Sequence, residues 1–369
     1  MQAMELSGEG ALSVPRISVL GDSISTFEGC IAEGNRVYYQ PPQTHLTGVE
    51  SLSQTWWMRV IEGVGGRLCA NASYSGSMVQ GNGFPAAEQP GRAEQLLGSN
   101  GKAPDAVLVF MGVNDYGWGS PEAQEAGRSE AAPAVVAVRA ASASAHDDTF
   151  SATVATAKNN EGNGPASVGG TTAVEVGMAA DGEHTEGALP EAFSMLPPAV
   201  PGAAPTEAAE RFGAAYERML HRVQEAAPGA EIWCVTIPPG REHGKTGPAF
   251  AYALRGVTLD AYNQAINDAA AATGARVADV AALGFDYDAY DGTHPTALGM
   301  EQLASMVLNA IAWESEMTPS LLGSALASRP LPPLPPDEMR SARRCKKRTC
   351  IGCPHARSTD NPWFCICDK

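Results

Sequence analysis

The segment Ile17-Ser18-Val19-Leu20-Gly21-Asp22-Ser23 decides the fold, because a short apolar run is stopped at once by a turn that carries a serine. Such a run is typical of a buried β-strand. Four more short apolar runs follow downstream, and each leads into a turn or a polar residue; they span residues 67–70, 106–111, 231–237 and 276–278. The sequence therefore predicts five short strands.

The segments between these strands have helical spacing of their apolar residues. The predicted helices span residues 55–63, 92–97, 207–227, 259–273 and 297–313. Strands that alternate with helices of this length indicate βαβ units, and hence a parallel sheet with helices on both faces. In such sheets the functional residues gather at the carboxyl ends of the strands. The residues that follow each strand are therefore the first candidates for a site.

Two long segments depart from this pattern. Residues 121–206 are rich in Ala, Ser, Thr, Gly and Glu, with 3 Lys/Arg against 11 Asp/Glu, a composition that favours a largely disordered insertion in a surface loop. Residues 329–336 are mostly proline, which is typical of a stiff extended spacer. We therefore expect a folded body at 15–315 interrupted by the insertion at 121–206, a linker at 316–339, and a cysteine-rich tail at 340–369.

Charge divides the chain in the same way. The 369 residues include 41 acidic and 25 basic side chains, for a net charge of −16, whereas residues 338–369 carry +5. An acidic surface repels phosphate backbones, so the body is not expected to bind nucleic acid, while the basic tail leaves that question open. No apolar run has the length of a membrane span, and the first residues do not resemble a signal peptide. We expect a cytoplasmic protein without a membrane span.

Five residues that follow the predicted strands form a set with a shared chemistry: Ser23, Gly76, Asn114, Asp291 and His294. A serine hydroxyl needs a neighbouring base to become a nucleophile, and an imidazole is suited to that role. His294 is the candidate base, and Asp291, three residues earlier, is placed to orient its ring. Attack on an ester creates an oxyanion, for which the Ser23 and Gly76 N–H groups and the Asn114 amide are the candidate donors.

These residues lie in four blocks: Gly21-Asp22-Ser23, Gly76 within Asn71-Ala72-Ser73-Tyr74-Ser75-Gly76, Gly112-Val113-Asn114-Asp115, and Asp291-Gly292-Thr293-His294-Pro295. In this order the blocks resemble those of the SGNH hydrolases, also called the GDSL lipase/esterase family. The resemblance implies a flavodoxin-like three-layer α/β/α sandwich with a five-stranded parallel sheet, and ester hydrolysis through an acyl-serine. It makes Ser23 the nucleophile, Gly76 and Asn114 part of the oxyanion hole, His294 the base and Asp291 its partner. The insertion and the small cysteine-rich tail are not part of the family pattern.

Arg241 and His243 follow the fourth strand and stay open at this point. Their side chains suit an anionic or sugar group, and they equally suit a solvated loop.

The tail contains five of the eight cysteines. Close pairs separated by a short loop favour a structural zinc site, with the ligand set Cys350, Cys353, Cys365 and Cys367 and with Cys345 and His355 as competing ligands. A [2Fe–2S] cluster, disulfides and no metal at all remain the alternatives.

The sequence therefore predicts a serine esterase that hydrolyses an acetyl or other short-chain ester of a sugar, lipid or other alcohol, with no cofactor for catalysis. Two alternatives stay open. One is a recognition protein that uses the same cleft without turnover, and the other is an acyltransferase that uses the same triad.

Overall fold

The computed structural model describes residues 14–122, 124–125, 205–245, 253–254, 257–340, 345–346, 356–358 and 364–367. The strands are, in chain order, β1 (Arg16–Gly21), β2 (Arg67–Asn71), β3 (Ala106–Phe110), β4 (Glu231–Val235), β5 (Gly240–Glu242), β6 (Ala253–Leu254), β7 (Val257–Thr258), β8 (Arg276–Ala278), β9 (Tyr287–Ala289), β10 (Cys345–Lys346), β11 (Ala356–Ser358) and β12 (Phe364–Cys367). The helices are α1 (Gln43–Thr47), α2 (Trp56–Gly63), α3 (Pro90–Glu94), α4 (Val113–Trp118), α5 (Pro205–Ala226), α6 (Leu259–Thr273), α7 (Ala297–Met317) and α8 (Leu321–Leu326).

The five strands that the sequence predicts form one parallel sheet, in the order β2-β1-β3-β4-β8. Numbered by their order in the chain, they follow the 2-1-3-4-5 arrangement of flavodoxin-like folds. The central strand β3 is buried along its whole length, as its run of five apolar residues predicts. The predicted α/β fold class is thus confirmed, and β1, which ends at Gly21, lies near the middle of the sheet.

The helices pack in two groups around this sheet. α2 packs on α7, and α3, α5 and α6 pack together. Threonine caps begin three of the helices: the side chains of Thr55, Thr258 and Thr296 each accept a hydrogen bond from a backbone N–H in the first turn. The apolar spacing in α6 is confirmed by its burial, since Leu259, Tyr262, Ile266 and Ala269 all face the core.

The segment 316–339, predicted as a linker, packs against the body. α7 runs on to Met317, and α8 buries Leu322 and Leu326. Beyond α8 the proline-rich stretch lies along α7, where the Ser305 hydroxyl and the Asn309 amide donate hydrogen bonds to the carbonyls of Pro333 and Pro332. The prolines have no N–H to donate, but their carbonyls accept, so the extended chain is held instead of standing free.

The sequence did not predict the two-stranded sheets β5-β9 (parallel) and β6-β7 (antiparallel). Strands of two or three residues are too short to show a periodic pattern. In the tail, β10, β12 and β11 form an antiparallel sheet in which Cys345 lies opposite Cys365. Most of the predicted insertion lies outside the described residues. Among the helices that the structure describes, none is both long and apolar enough to span a bilayer.

Candidate active site

Ser23 lies at the carboxyl end of β1, in the first position of a short 3-10 helix (Ser23–Ser25). The Asp22 carboxylate caps this turn by accepting the Ile24 N–H at 3.0 Å. Burial raises the pKa of Asp22 to about 6, against the hydrogen bond from Ile24 and the charge of His294, which lower it. The turn directs the Ser23 side chain out of the strand while leaving the residue only 6% exposed.

His294 and Asp291 face Ser23 from the loop after β9. The Ser23 Oγ lies 2.9 Å from His294 Nε2, and Asp291 Oδ2 lies 2.7 Å from His294 Nδ1. The other oxygen, Asp291 Oδ1, accepts the backbone N–H groups of Thr293 and His294. One carboxylate therefore folds the turn and orients the imidazole at the same time.

The electrostatics of Asp291 suit a charged partner for an imidazolium. Burial raises the pKa of this carboxyl, but the charge and hydrogen bonds of His294, together with the Thr293 N–H, outweigh that effect and hold the pKa at about 2. Asp291 therefore stays ionised at neutral pH and accepts a hydrogen bond at the Nδ1 side of the His294 ring.

Gly76 and Asn114 lie in adjacent segments beside β1. The Asn114 side-chain amide donates to the Ser77 carbonyl at 2.9 Å, directly after Gly76 in the chain. Gly76 has a φ of 77°, a left-handed conformation that a residue with a Cβ adopts at a cost. The loop is joined to the nucleophile strand because the Tyr74 N–H donates to the Gly21 carbonyl. Gly76 therefore lies in a loop that is joined to the end of β1, and Asn114, from the start of α4, is hydrogen-bonded to the same loop.

Asp115 holds the segment that follows Gly76 through hydrogen bonds of its side chain. Its fully buried carboxylate accepts the backbone N–H groups of Val79 and Gln80 and the Gln80 side-chain amide. Burial raises the pKa of Asp115 to about 6, although these donors act in the opposite direction. The preceding Gly112 has a φ of 118°, and a Cβ there would lie 2.8 Å from the Phe212 ring, so this turn requires glycine. The Asn-Asp pair therefore fixes the loop with both of its side chains.

Arg92 is a positioning residue that the sequence did not reveal. Its guanidinium is fully buried and donates to the carbonyls of Gly21, Ala72 and Pro85 and to the Ser77 hydroxyl. Burial lowers the pKa of Arg92 to about 10, so the group stays charged at neutral pH. These hydrogen bonds tie the end of β1 to the Gly76 loop. A single arginine in a short helix gives no sequence signal of such a role, because most of its partners are distant in the chain.

Arg241 and His243 each pair with a carboxylate. The partner of Arg241 is Asp286, directly before β9, and the partner of His243 is Asp288, within β9. Arg241 forms an ion pair with buried Asp286 at 2.9 Å and donates to the Glu338 carbonyl. His243 Nδ1 lies 2.9 Å from Asp288, but its side chain is 70% exposed. Arg241 therefore has a structural role. His243 is a solvated residue whose imidazole contacts Asp288 through Nδ1 alone.

Metal ligands are not brought together in the body: among the described residues, no group of three or more His, Cys, Asp and Glu side chains is placed to hold an ion. Cys350, Cys353 and His355 lie outside the described residues, and so do the side chains of Cys345, Cys365 and Cys367.

Comparisons with known proteins find one similar family and several similar solved structures. Residues 15–150 match the family model described as GDSL-like lipase/acylhydrolase. Among solved structures, the chain is similar to a protein from Bacteroides ovatus assigned as a GDSL-like lipase, with 21% identity, coverage of 80% of this chain and 96% of that one, and a TM-score of 0.42. It is also similar to a carbohydrate acetylesterase from Sinorhizobium meliloti, with 11% identity, coverage of 81% and 99%, and a TM-score of 0.39. No curated protein matches the chain.

The matched segment includes Ser23, Gly76 and Asn114, three of the five predicted site residues. Over residues 15–150 the chain therefore resembles the GDSL-like lipase/acylhydrolase family.

Proposed function

We propose that this esterase hydrolyses acetyl or other short-chain esters through an acyl-serine intermediate on Ser23. The observation that carries the proposal is the continuous chain of hydrogen bonds from Asp291 through His294 to Ser23. In this arrangement the Ser23 hydroxyl gives its proton to Nε2 of His294. The Nδ1–H group keeps its own proton and donates a hydrogen bond to Asp291. Geometry of this kind is the signature of an activated serine.

In the first half of the reaction, Ser23 Oγ attacks the ester carbonyl carbon and its proton passes to His294. The carbonyl oxygen becomes negative and accepts hydrogen bonds from the Ser23 and Gly76 N–H groups and from Asn114 Nδ2. When the tetrahedral intermediate collapses, the C–O bond to the alcohol breaks and His294 returns the proton to the leaving oxygen. The product of this half is an acyl-serine and a free alcohol.

In the second half, a water molecule takes the place of the alcohol. His294 removes its proton as the water attacks the acyl-serine, and the same donors hold the second oxyanion. Collapse releases the carboxylic acid and returns the proton to Ser23 Oγ. The cycle needs no cofactor, since every proton moves between Ser23, His294 and the substrate.

The short acyl chain is inferred from the burial of the reacting groups. Ser23 and His294 are each 6% exposed, so only a small part of either side chain is accessible to a substrate. Binding a small acyl group at such a buried position orders fewer rotatable bonds than binding a long chain. A panel of acetylated sugars, lysophospholipids and simple esters of increasing chain length measures this preference, and we expect kcat/KM to fall as the chain lengthens.

A fluorophosphonate probe and an acetyl chromogenic ester test the mechanism. Wild-type protein and the exposed-serine control Ser53→Ala are expected to react with the probe and to turn over the ester, whereas Ser23→Ala does neither. Full activity in Ser23→Ala would overturn the assignment of the nucleophile. A folded wild-type protein that neither reacts nor turns over any ester of the panel would favour the recognition-protein alternative. Transfer of the acetyl group to an added sugar alcohol in preference to water would favour the acyltransferase. A cytoplasmic location stays a prediction.

We further propose that the tail binds a structural zinc ion through Cys350, Cys353, Cys365 and Cys367, with Cys345 and His355 as alternative ligands. The antiparallel pairing of Cys345 with Cys365 supports the tail as a unit that gathers its cysteines, and it raises Cys345 among the candidates. Metal analysis of the full chain is expected to find one zinc per molecule. The paired variant Cys350→Ser/Cys353→Ser should lose it and Cys30→Ser should keep it. Absence of zinc and iron from the wild-type protein would reject both metal assignments.

A further inference from the structure

The ring of Tyr38 lies flat on the imidazole of His294. Their centroids are 3.6 Å apart and their planes differ by 7°, a stacked arrangement. The two hydrogen bonds of His294, to Ser23 and to Asp291, both lie at the edge of the ring. They fix its direction within the plane but leave its tilt free. The stack supplies the missing restraint.

Tyr38 is itself held on the nucleophile turn. Its backbone N–H donates to the Thr26 hydroxyl at 2.9 Å, and that hydroxyl donates to the Ser23 carbonyl at 2.9 Å. The neighbouring Tyr39 packs edge-on against Tyr38 and donates its buried hydroxyl to the Pro295 carbonyl. Tyr38 is therefore linked through Thr26 to Ser23, the proposed proton donor, and contacts His294, the proposed proton acceptor, directly.

Asp291 also acts on Tyr38. Burial raises the pKa of Tyr38 well above its usual value, and the negative charge of Asp291 adds to that effect. The phenol therefore stays neutral, and the face that it presents to His294 is the electron-rich face of an uncharged ring. Such a face attracts a cation placed over it.

We propose that Tyr38 is a positioning residue of the esterase reaction, which sets the tilt of the His294 ring and stabilises its imidazolium by stacking. The inference rests on the proposed function. His294 is neutral before the attack and positive in the tetrahedral intermediate, so a contact that favours the cation is stronger at the transition state than in the free enzyme. The other ionisable groups that act on His294 are Asp291, hydrogen-bonded to it, and Asp22, on the nucleophile turn.

Three variants separate the ring from the hydroxyl. Tyr38→Leu removes the ring, Tyr38→Phe keeps the ring and removes the hydroxyl, and Tyr39→Phe removes a hydrogen bond to the same loop without touching the imidazole. The readout is the pH profile of kcat/KM with an acetyl chromogenic ester, with the labelling rate of the fluorophosphonate probe as a second measure. Thermal unfolding confirms that each variant is folded.

Loss of a cation–π contact corresponds to a fall on the order of 10-fold in the plateau of kcat/KM for Tyr38→Leu. The acid limb of that profile should also move to lower pH, because the protonated ring loses a stabilising neighbour. Tyr38→Phe should keep the acid limb at the same pH and lower the plateau of kcat/KM by about threefold or less. Tyr39→Phe should leave the acid limb at the same pH. A Tyr38→Leu protein whose profile and labelling match the wild type would overturn the proposal. So would a loss of activity with an unmoved acid limb, since that result marks a purely structural role.

If Tyr38→Leu does not fold, an NMR measurement on the wild-type protein tests the stacking contact instead. The stacked phenol should shift the His294 ring protons upfield in the NMR spectrum, and Tyr38→Phe should preserve the shift. Ring protons without an upfield shift would overturn the stack. This result is independent of turnover: an inactive wild-type protein that shows the upfield shift would refute the proposed function while the contact stands.

Discussion

Two histidine–aspartate pairs take their carboxylates from β9 and from the loop after it, and they differ in burial and in the neighbours of the imidazole. His294 and Asp291 have side chains that are 7% and 13% exposed, and the ring lies against both Ser23 and Tyr38. His243 and Asp288 are joined by a similar distance of 2.9 Å, but the His243 side chain is 70% exposed. The distance within the pair therefore does not distinguish the imidazole proposed as the base from the solvated one.

The partners of each carboxylate explain the difference. Asp291 divides its oxygens, one for the ring and one for the backbone N–H groups of its own turn. Asp288 presents both oxygens to His243 and also accepts the hydroxyl of Thr296, the residue that caps α7. The first pair orients the proposed base toward the Ser23 hydroxyl, whereas the second pair stabilises the start of α7.

The sharpest way to break this comparison is to remove each imidazole in turn. His294→Gln is expected to lower kcat on the acetyl ester by a factor on the order of 10⁴ or more, because the Ser23 hydroxyl loses its base. His243→Gln should stay within about twofold of the wild type, as is usual for an exposed group with one partner. Steady-state kinetics of both variants measures this, and equal losses in the two would show that the pairs share a role.

The carboxylates provide the next contrast. Asp291→Asn is expected to cost on the order of 10³ to 10⁴ in kcat, since an amide no longer holds the imidazole in the required tautomer. Asp288→Asn should instead lower the free energy of unfolding by about 1–2 kcal/mol, through the weakened cap of α7, and leave most of the activity. Urea unfolding and kinetics on both proteins separate the effects. A larger kinetic loss in Asp288→Asn than in Asp291→Asn would contradict the assignment.

Asn114→Ala tests the oxyanion donors, and its effect should be smaller than that of either triad change. We expect a loss on the order of 10² to 10³ in kcat with KM little changed, because the amide acts on charge that develops only in the transition state. Gln124→Ala, which removes a donor to the Gly76 carbonyl, is the control for loosening the same loop. If Asn114→Ala raises KM and leaves kcat unchanged, the amide binds the substrate in its ground state and is not an oxyanion donor.

The smallest effect concerns pH and stability. Burial raises the pKa of Asp286 to about 6, and the Arg241 ion pair only partly opposes it, whereas the pKa of Asp291 is held at about 2. The folded state therefore binds a proton at Asp286 more tightly than the unfolded chain does, and stability falls as pH rises from about 4 through 6. Asp291 acts in the opposite direction, with stability lost as pH falls from about 4 toward 2.

We therefore expect the free energy of unfolding to be larger near pH 5 than near pH 7.5, by on the order of 1 kcal/mol for each carboxyl like Asp286. Asp22 and Asp115, whose pKa is also raised to about 6 chiefly by burial, contribute in the same direction. Urea unfolding at the two pH values measures the difference, and Asp286→Asn should reduce it. A protein that is more stable at pH 7.5 than at pH 5 would contradict this reading of the buried acids.

The central sheet was predictable because each strand is a separate apolar run with a clear stop. The predicted bounds for β8 and α6 agree with the structure to the residue, and those for α7 differ by four residues at its end. The helix α4 was missed because Gly112-Val113-Asn114-Asp115 has the composition of a turn. The proline-rich segment was misjudged because composition predicts its extended shape but not the partners for its carbonyls.

The site divides in a similar way. Asp291 and His294 are three residues apart in one turn, so their pairing was predictable from spacing. Tyr38, Arg92 and the pair of His243 with Asp288 depend on contacts between residues far apart in the chain. No local pattern of charge or hydrophobicity encodes such contacts, and only the folded chain shows them.

The most direct measurement of the central claim is the mass of the enzyme caught during turnover. The protein is mixed with an excess of an acetyl ester, quenched in acid within the first turnovers, digested and analysed by mass spectrometry. The account predicts one added acetyl group on the peptide that contains Ser23, and none in Ser23→Ala or in His294→Gln. Ester turnover in which the acetyl group is found on another residue, or is still present on the Ser23→Ala protein, would contradict it.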